Sequence, residues 1–283
     1  MSVILAENNY GKSGVRLIKV ARHGDRHDLQ DLCIDIAFEG DFEAAHVNGD
    51  NQKILPTDTM KNTVYALARQ HSGLEGIEAF ALRLAGHFLS HNPQTERVTI
   101  EIAENQWTRI SVGGRPHHHS FSRNSGEKHT AKVIATRQET KVEAGIADLI
   151  VLKTTGSGFS NFLKDEFTTL KETSDRIFAT ALKAQWLYAS PEAATETMWR
   201  NVRQTILETF AQHDSLSVQQ TLYAMGETVL NSFDDLLEIS LSLPNKHCLL
   251  FDLSPFGMEN HNEIFVPTDQ PHGLIEARLS RSA

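Results

Sequence analysis

Apolar positions along this chain recur with two periods, and the switches between them predict the order of elements. From Val15 to Asp41, VRLIKVAR and DLCIDIAFEG flank the turn HGDRH, with Leu32, Ile34 and Ile36 alternating against polar neighbours. That alternation predicts a β-hairpin. LPTDTMKNTVYALARQH then carries a helical stripe of Met60, Val64, Leu67 and Ala68, with Thr57 or Asp58 placed to cap its start. A second stripe, Ile77, Phe80, Ala81, Leu84 and Phe88, predicts a helix ending near Asn92 and Pro93. Strand alternation returns in ERVTIEIAENQWTRI through Val98, Ile100 and Ile102, and a weaker strand is expected between Ser120 and Ala135, after a histidine-rich turn.

The second half repeats this order. ETKVEAGIADLIVLKTTGS and RIFATALKAQWLYAS read as a hairpin around a long insertion. A helix is expected to open at Ser190-Pro191-Glu192, with Met198, Val202, Ile206 and Phe210 recurring every four residues. Another should start near Ser217 with Val218, Leu222, Met225 and Val229 on its stripe. LLEISLSLPNKHCLLFDL reads as a strand, open to a break at Pro244, and GLIEARLS as a short last strand. A short echo, T-V-Y-A-L at 63–67 and T-L-Y-A-M at 221–225, is expected to occupy corresponding helical positions. The pattern predicts an α+β fold of two halves, 1–136 and 137–283, each an antiparallel sheet with its helices on one face.

The chain has 283 residues, 40% apolar and 22% charged, enough for a full core. No apolar run reaches the ~18 residues of a membrane span, and the N-terminus MSVILAENNYGKSG does not read as a secretory signal. A net charge of -9 argues against nucleic acid or an anionic membrane as partner. Cys33 and Cys248 form neither a CxxC pair nor a disulfide framework. Cytoplasmic residence is the expectation.

Five stretches carry candidate chemistry. In SLPNKHCLL, Asn245 and His247 are two apart on a strand and share a face, which places a polar pair where a strand core is otherwise apolar. A hydrogen-bonded core pair near a strand end would explain them equally well. HHH at 117–119, with His129 nearby, lacks an HExxH or CxxC partner, and consecutive histidines on a strand alternate faces. A polar turn is the expectation there, not a metal site. Thr57 and Asp58 read as cap residues, and Lys12 as a solvated charge. The stretch 151–176, VLKTTGSGFSNFLKDEFTTLKETSDR, spends Phe159, Phe162 and Phe167 on a connection and ends at Arg176. A phenyl ring and a guanidinium suit a flat anionic heterocycle, one by stacking and the other by paired N–H donors. Loop aromatics packed as a satellite core, with Arg176 in a surface pair, remain the alternative.

Taken together, these residues resemble the urate oxidase (uricase) family. V-L-K-T-T-G-S-G-F-S-N-F followed by Phe167 and Arg176 is similar to the family's signature run, and NNYGK, GDFEAAHVNGDN, TDTMKNTVYALA, HSFSR, SVQQTLYAMG, LPNKH and GLIEA resemble its other landmarks in order. The resemblance implies tandem T-fold (tunnelling-fold) domains assembled as a homotetramer, with active sites at subunit interfaces. It implies that Phe159 stacks on urate, that Arg176 and Gln219 grip its edges, and that the Val218 N–H adds a hydrogen bond. Thr57, Asp58 and Lys12 would come from the neighbouring subunit. Asn245 would hold dioxygen or water above the ring, and His247 would join Lys12 and Thr57 in a proton relay.

No metal and no organic cofactor are implied. The implied reaction passes an electron from a urate dianion to dioxygen, forms a ring hydroperoxide, releases hydrogen peroxide and adds water to give 5-hydroxyisourate. The ending RLSRSA lacks the Ser-Lys-Leu address of peroxisomal members and again suggests the cytoplasm. Two rivals stand beside this reading: another T-fold enzyme acting on pterins or purines, with zinc at the histidine run, and a non-catalytic purine-binding homologue.

Overall fold

Alternating Leu32, Ile34, Ile36 and Phe38 are all buried, because each lies on the one face of its strand that meets the helices. They belong to a computed structural model that describes residues 2–71, 76–123 and 125–282. The chain divides into two units, Met1–Gly145 with Leu187–Arg200, and Ile146–Trp186 with Asn201–Ala283.

In the first unit, β1 (Tyr10–His23) and β2 (Arg26–Gly40) form the expected hairpin, pairing Leu17 with Leu32 and Val15 with Ile34. The register slips between Lys12 and Val15. Gly11 lies so close to β2 that a Cβ there would stand 1.8 Å from the carbonyl oxygen of Ile36. Only glycine fits this approach, which sets the path of the chain into Lys12.

A short helix α1 (Glu43–Asn48) precedes α2 (Thr57–Gln70) and α3 (Gly76–His91). Helix α2 packs on β1. Helix α3 buries Ile77, Phe80, Ala81, Leu84 and Phe88, the stripe read from sequence, against β3 (Thr95–Asn105) and a later strand. Each of Ile77, Phe80, Leu84 and Phe88 contributes about 1.5–3 kcal/mol by leaving water.

The expected cap differs. Pro56 holds the N-cap position of α2 and makes no side-chain bond, Thr57 is the first helical residue, and the Asp58 carboxylate is taken by Lys61 and Asn62. The strands after β3 also differ: β4 (Thr108–Val112) and β5 (Arg115–Ser122) form a separate two-stranded hairpin. The sheet continues with β6 (Lys128–Ala135), which pairs with β3 as Ile100 to Val133. In the run β1-β2-β3-β6, β1 is the open edge, and β2 and β3 are each paired on both sides.

In the second unit, β7 (Thr140–Lys153, entering it at Ile146) and β8 (Phe178–Tyr188) bracket the long connection. Residues 187–200 belong to the first unit: there a 3-10 turn over Pro191–Ala193 precedes α4, which begins at Glu196 rather than at Pro191 and continues in the second unit from Asn201 to Gln212. Helix α5 (Val218–Ser232) is capped by Ser217, whose hydroxyl accepts the N–H of Gln220. It packs on β9 (Leu236–Leu250) and β10 (Phe265–Ser280). A Cβ at Gly226 would stand 3.0 Å from Leu279 and 3.3 Å from Leu241, so the helix lies closer to the sheet than a larger residue allows.

Strand β9 runs through Pro244 without the break considered above. Its partner slips register between Thr268 and Gly273, just beyond the Pro244–Leu274 pair. The order ββααββ is thus present twice, with α1 and the β4–β5 hairpin added to the first half. The T-V-Y-A-L echo is incidental: it falls in the first helix of one half's pair and the second helix of the other's.

Candidate functional site

The long connection between β7 and β8 is held by backbone. Arg176 N–H donates to the Ser157 carbonyl (2.7 Å), while Phe159 and Thr173 exchange both bonds at 2.8 and 3.0 Å. The two ends of the loop therefore run antiparallel. The loop is also tied to the entry of α5, since Gly158 N–H donates to Ser215 (2.8 Å) and Ser215 N–H to Gly156 (2.9 Å). A Cβ at Gly158 would meet the carbonyl oxygens of Ser174 and Thr173 at 3.0 and 3.2 Å.

This junction sets Phe159 and Arg176 beside the first turn of α5. The guanidinium carbon of Arg176 lies 5.4 Å from the Phe159 ring centroid. Phe162 stacks on Phe159 at 5.0 Å and 12°. Burial pushes the pKa of Arg176 below its ordinary value, and its Nε has no partner among the described residues. Val218 opens α5, where an N–H has no acceptor within the helix. Its side chain is buried, whereas Gln219 is exposed. An orphan guanidinium N–H beside a helix N-terminus suits an anion with acceptors along one edge. The satellite-core alternative fails for Phe167, which is 81% exposed.

Asn245 and His247 lie on β9, both half-buried and on one face, opposite Gly273 and Thr268. Lys246 points the other way and pairs with Asp269 at 2.7 Å. The register slip at Thr268–Gly273 sits beside this pair.

The first unit gathers a different set. Lys12 is on β1 at its irregular end, and Thr57 and Asp58 are in the first turn of α2, which packs on that strand. Hydrogen bonds from Lys61 and then Asn62 hold the Asp58 carboxyl below its ordinary value, and the Lys61 and Lys12 charges add to this. The Tyr10 hydroxyl accepts the N–H of Leu55 at 3.0 Å and fixes the chain just before Thr57. The predicted residues thus fall into two sets, Lys12, Thr57 and Asp58 in one unit, and Phe159, Arg176, Val218, Gln219, Asn245 and His247 in the other.

The histidine run lies on strand β5 and not in a turn. His118 and His119 are exposed, the His117 and His119 rings meet at 4.6 Å, and Arg109 reaches the carbonyl of His118. Among the described residues, the group whose donor atoms do converge is Glu78, His129 and Glu196, within 4.8 Å of one another. Sequence reading missed it.

His129 is fully buried, with Nε2 2.7 Å from Glu78 and Nδ1 3.5 Å from Glu196 and 3.7 Å from Glu104. Its ring stacks on Trp199 at 4.1 Å. Burial alone would discharge the imidazole; the attraction of Glu78, aided by Glu104 and Glu196, outweighs it and raises the pKa to about 9. At the longer distances the attraction is mainly Coulombic. A protonated His129 among carboxylates therefore accounts for the cluster as a buried ion pair.

No helix among the described residues is long and apolar enough to cross a membrane. A family model described as Uricase matches residues 8–134 and 142–276. The chain is 45% identical over 279 residues to a uricase of Arthrobacter globiformis, covering 99% of this chain and 90% of that one. It is 37% identical over 282 residues to a uricase of Dictyostelium discoideum, with 98% of each chain covered. The crystal structure of the Arthrobacter globiformis uricase superposes with a TM-score of 0.93 at 44% identity, over 99% of this chain and 96% of that one.

Proposed function

We infer the workings of the site from one premise: this chain belongs to the uricase family and is a urate oxidase with tandem T-fold architecture. The rival pterin-enzyme and non-catalytic readings are not favoured by these relatives. We propose that urate lies against the Phe159 ring, with Arg176 and Gln219 holding its acceptor edge and the Val218 N–H adding a further bond. The observation that carries this is the loop junction, which leaves a half-buried guanidinium N–H without an acceptor beside a helix N-terminus. An unpaired buried donor costs about 1–3 kcal/mol, which an anionic ligand relieves.

Lys12, Thr57 and Asp58 are assigned to the same site from the neighbouring subunit of a homotetramer. Asn245 holds dioxygen or water above the ring, and His247 relays protons with Lys12 and Thr57. The reaction balances as urate, dioxygen and water giving 5-hydroxyisourate and hydrogen peroxide. The residues supply placement and electrostatics, and the reaction uses no metal or organic cofactor. The domain limits are assigned as 1–136 and 137–283, and the enzyme to the cytoplasm.

Co-expression of Lys12→Met and Arg176→Gln chains tests the shared site. Lys12→Met alone is expected to turn over little at any urate concentration, and Arg176→Gln alone little at urate well below its raised KM. At a two-fold interface between unlike chains, one of the two sites keeps every residue, so the mixed assembly should regain activity. No recovery in a demonstrably mixed oligomer would place both sets in one subunit.

A further inference from the structure

We propose that Asp175 is a positioning residue for the substrate grip, clasping the start of the long loop to its end so that Arg176 and Phe159 present one fixed surface. The proposal rests on the assignment of Phe159 and Arg176 to urate. Asp175 immediately precedes Arg176, and its carboxylate spans both loop ends. Oδ1 accepts the N–H of Gly156 at 3.0 Å and Oδ2 the hydroxyl of Thr155 at 2.9 Å. Its own carbonyl accepts the Thr173 hydroxyl at 2.7 Å.

These bonds close the end of a short antiparallel ladder whose other rungs are Arg176 to Ser157 and Phe159 to Thr173. Gly156, held by Asp175, is also the acceptor for Ser215, which ties the loop to the entry of α5. Gly156 has φ +69°, a conformation that turns the chain here and that its bond to Asp175 helps to fix. One carboxylate therefore holds the residue through which the loop is registered against Val218 and Gln219.

Both carboxylate oxygens are taken by Thr155 and Gly156, and Arg176 Nε has no partner among the described residues. Asp175 thus orients the arginine through the backbone without occupying its donors. The carboxyl stays ionised, held below its ordinary value chiefly by the Thr155 hydroxyl. Such an arrangement acts on binding geometry more than on the chemical step, because a misplaced guanidinium loses paired hydrogen bonds to the purine edge.

The test measures kcat and KM for urate, with the thermal midpoint, in Asp175→Ala, Asp175→Asn, Thr155→Val and, as reference, Arg176→Gln. Asp175→Ala should raise KM roughly tenfold, with a much smaller change in kcat. Asp175→Asn should recover most of the loss, since its amide oxygen can accept from Gly156 and its N–H can donate to Thr155. Thr155→Val should raise KM less than Asp175→Ala, and it keeps the test available if that variant fails to fold.

A lowered thermal midpoint with unchanged KM in the Asp175 and Thr155 variants, while Arg176→Gln raises KM, would overturn the positioning role alone. Unchanged KM in Arg176→Gln would overturn the assignment of the grip, and this proposal with it.

Discussion

Replacing His129 with arginine should flatten the dependence of stability on alkaline pH. In the folded chain the imidazole titrates at about 9, against 6.5 for the free side chain. The folded state therefore holds its proton more tightly than the unfolded one. The resulting stabilisation is complete below about pH 6.5 and is lost as pH rises through about 9. The displacement corresponds to about 3 kcal/mol, and His129 is fully buried, so solvent does not screen it away.

Arginine in its place keeps a charge throughout this range and can stack on Trp199 as the imidazole does. The assay is denaturant unfolding at fixed protein concentration, from about pH 6 to about pH 9.5. Groups elsewhere titrate alike in both proteins, so the difference between the curves isolates position 129. Wild type should lose about 3 kcal/mol more than His129→Arg across the range. Parallel curves would refute the charged-histidine account of the cluster.

Other outcomes follow from the same geometry. His129→Gln leaves Glu78 buried without a cation and should cost about 3–5 kcal/mol at neutral pH, read from the unfolding midpoint. Phe159→Ala should raise KM for urate several-fold through the lost ring contact, and Arg176→Gln about 10- to 100-fold through lost charge-assisted bonds, both read from initial-rate saturation curves. Lys12→Met should lose most turnover while still binding a non-reacting urate analogue, checked by pairing kcat with calorimetry; unchanged turnover would remove Lys12 from the relay. Gly158→Ala should weaken urate binding, because its Cβ would press on Ser174 and Thr173 and shift the loop.

The two halves were readable because the strand and helix periods are local properties of the chain. Ile34, Ile36 and Ile100 mark buried faces by spacing alone, and so do Phe80, Leu84 and Phe88. Phe159 and Arg176 stood out because aromatic residues are rare in long connections. Lys12, Thr57 and Asp58 did not, since a solvated lysine and a helix start look ordinary, and only the family resemblance drew them in.

The remaining features depend on partners distant in sequence. Glu78 and His129 are 51 residues apart, and neither is recognisable as buried until α3 and β6 are packed together. Asp175 carried no signal of its own in the sequence, because its role depends on where Gly156 returns. Pro244 argued for a break, but β9 keeps its pairing with β10 through Pro244 and Leu274.

The most direct measurement follows loss of the near-ultraviolet absorbance of urate in air, with hydrogen peroxide measured alongside, using purified protein with and without a strong chelator. The account predicts urate loss matched by peroxide, unchanged by chelator and abolished by removal of oxygen. Turnover that disappears in chelator and returns only with added metal would contradict it.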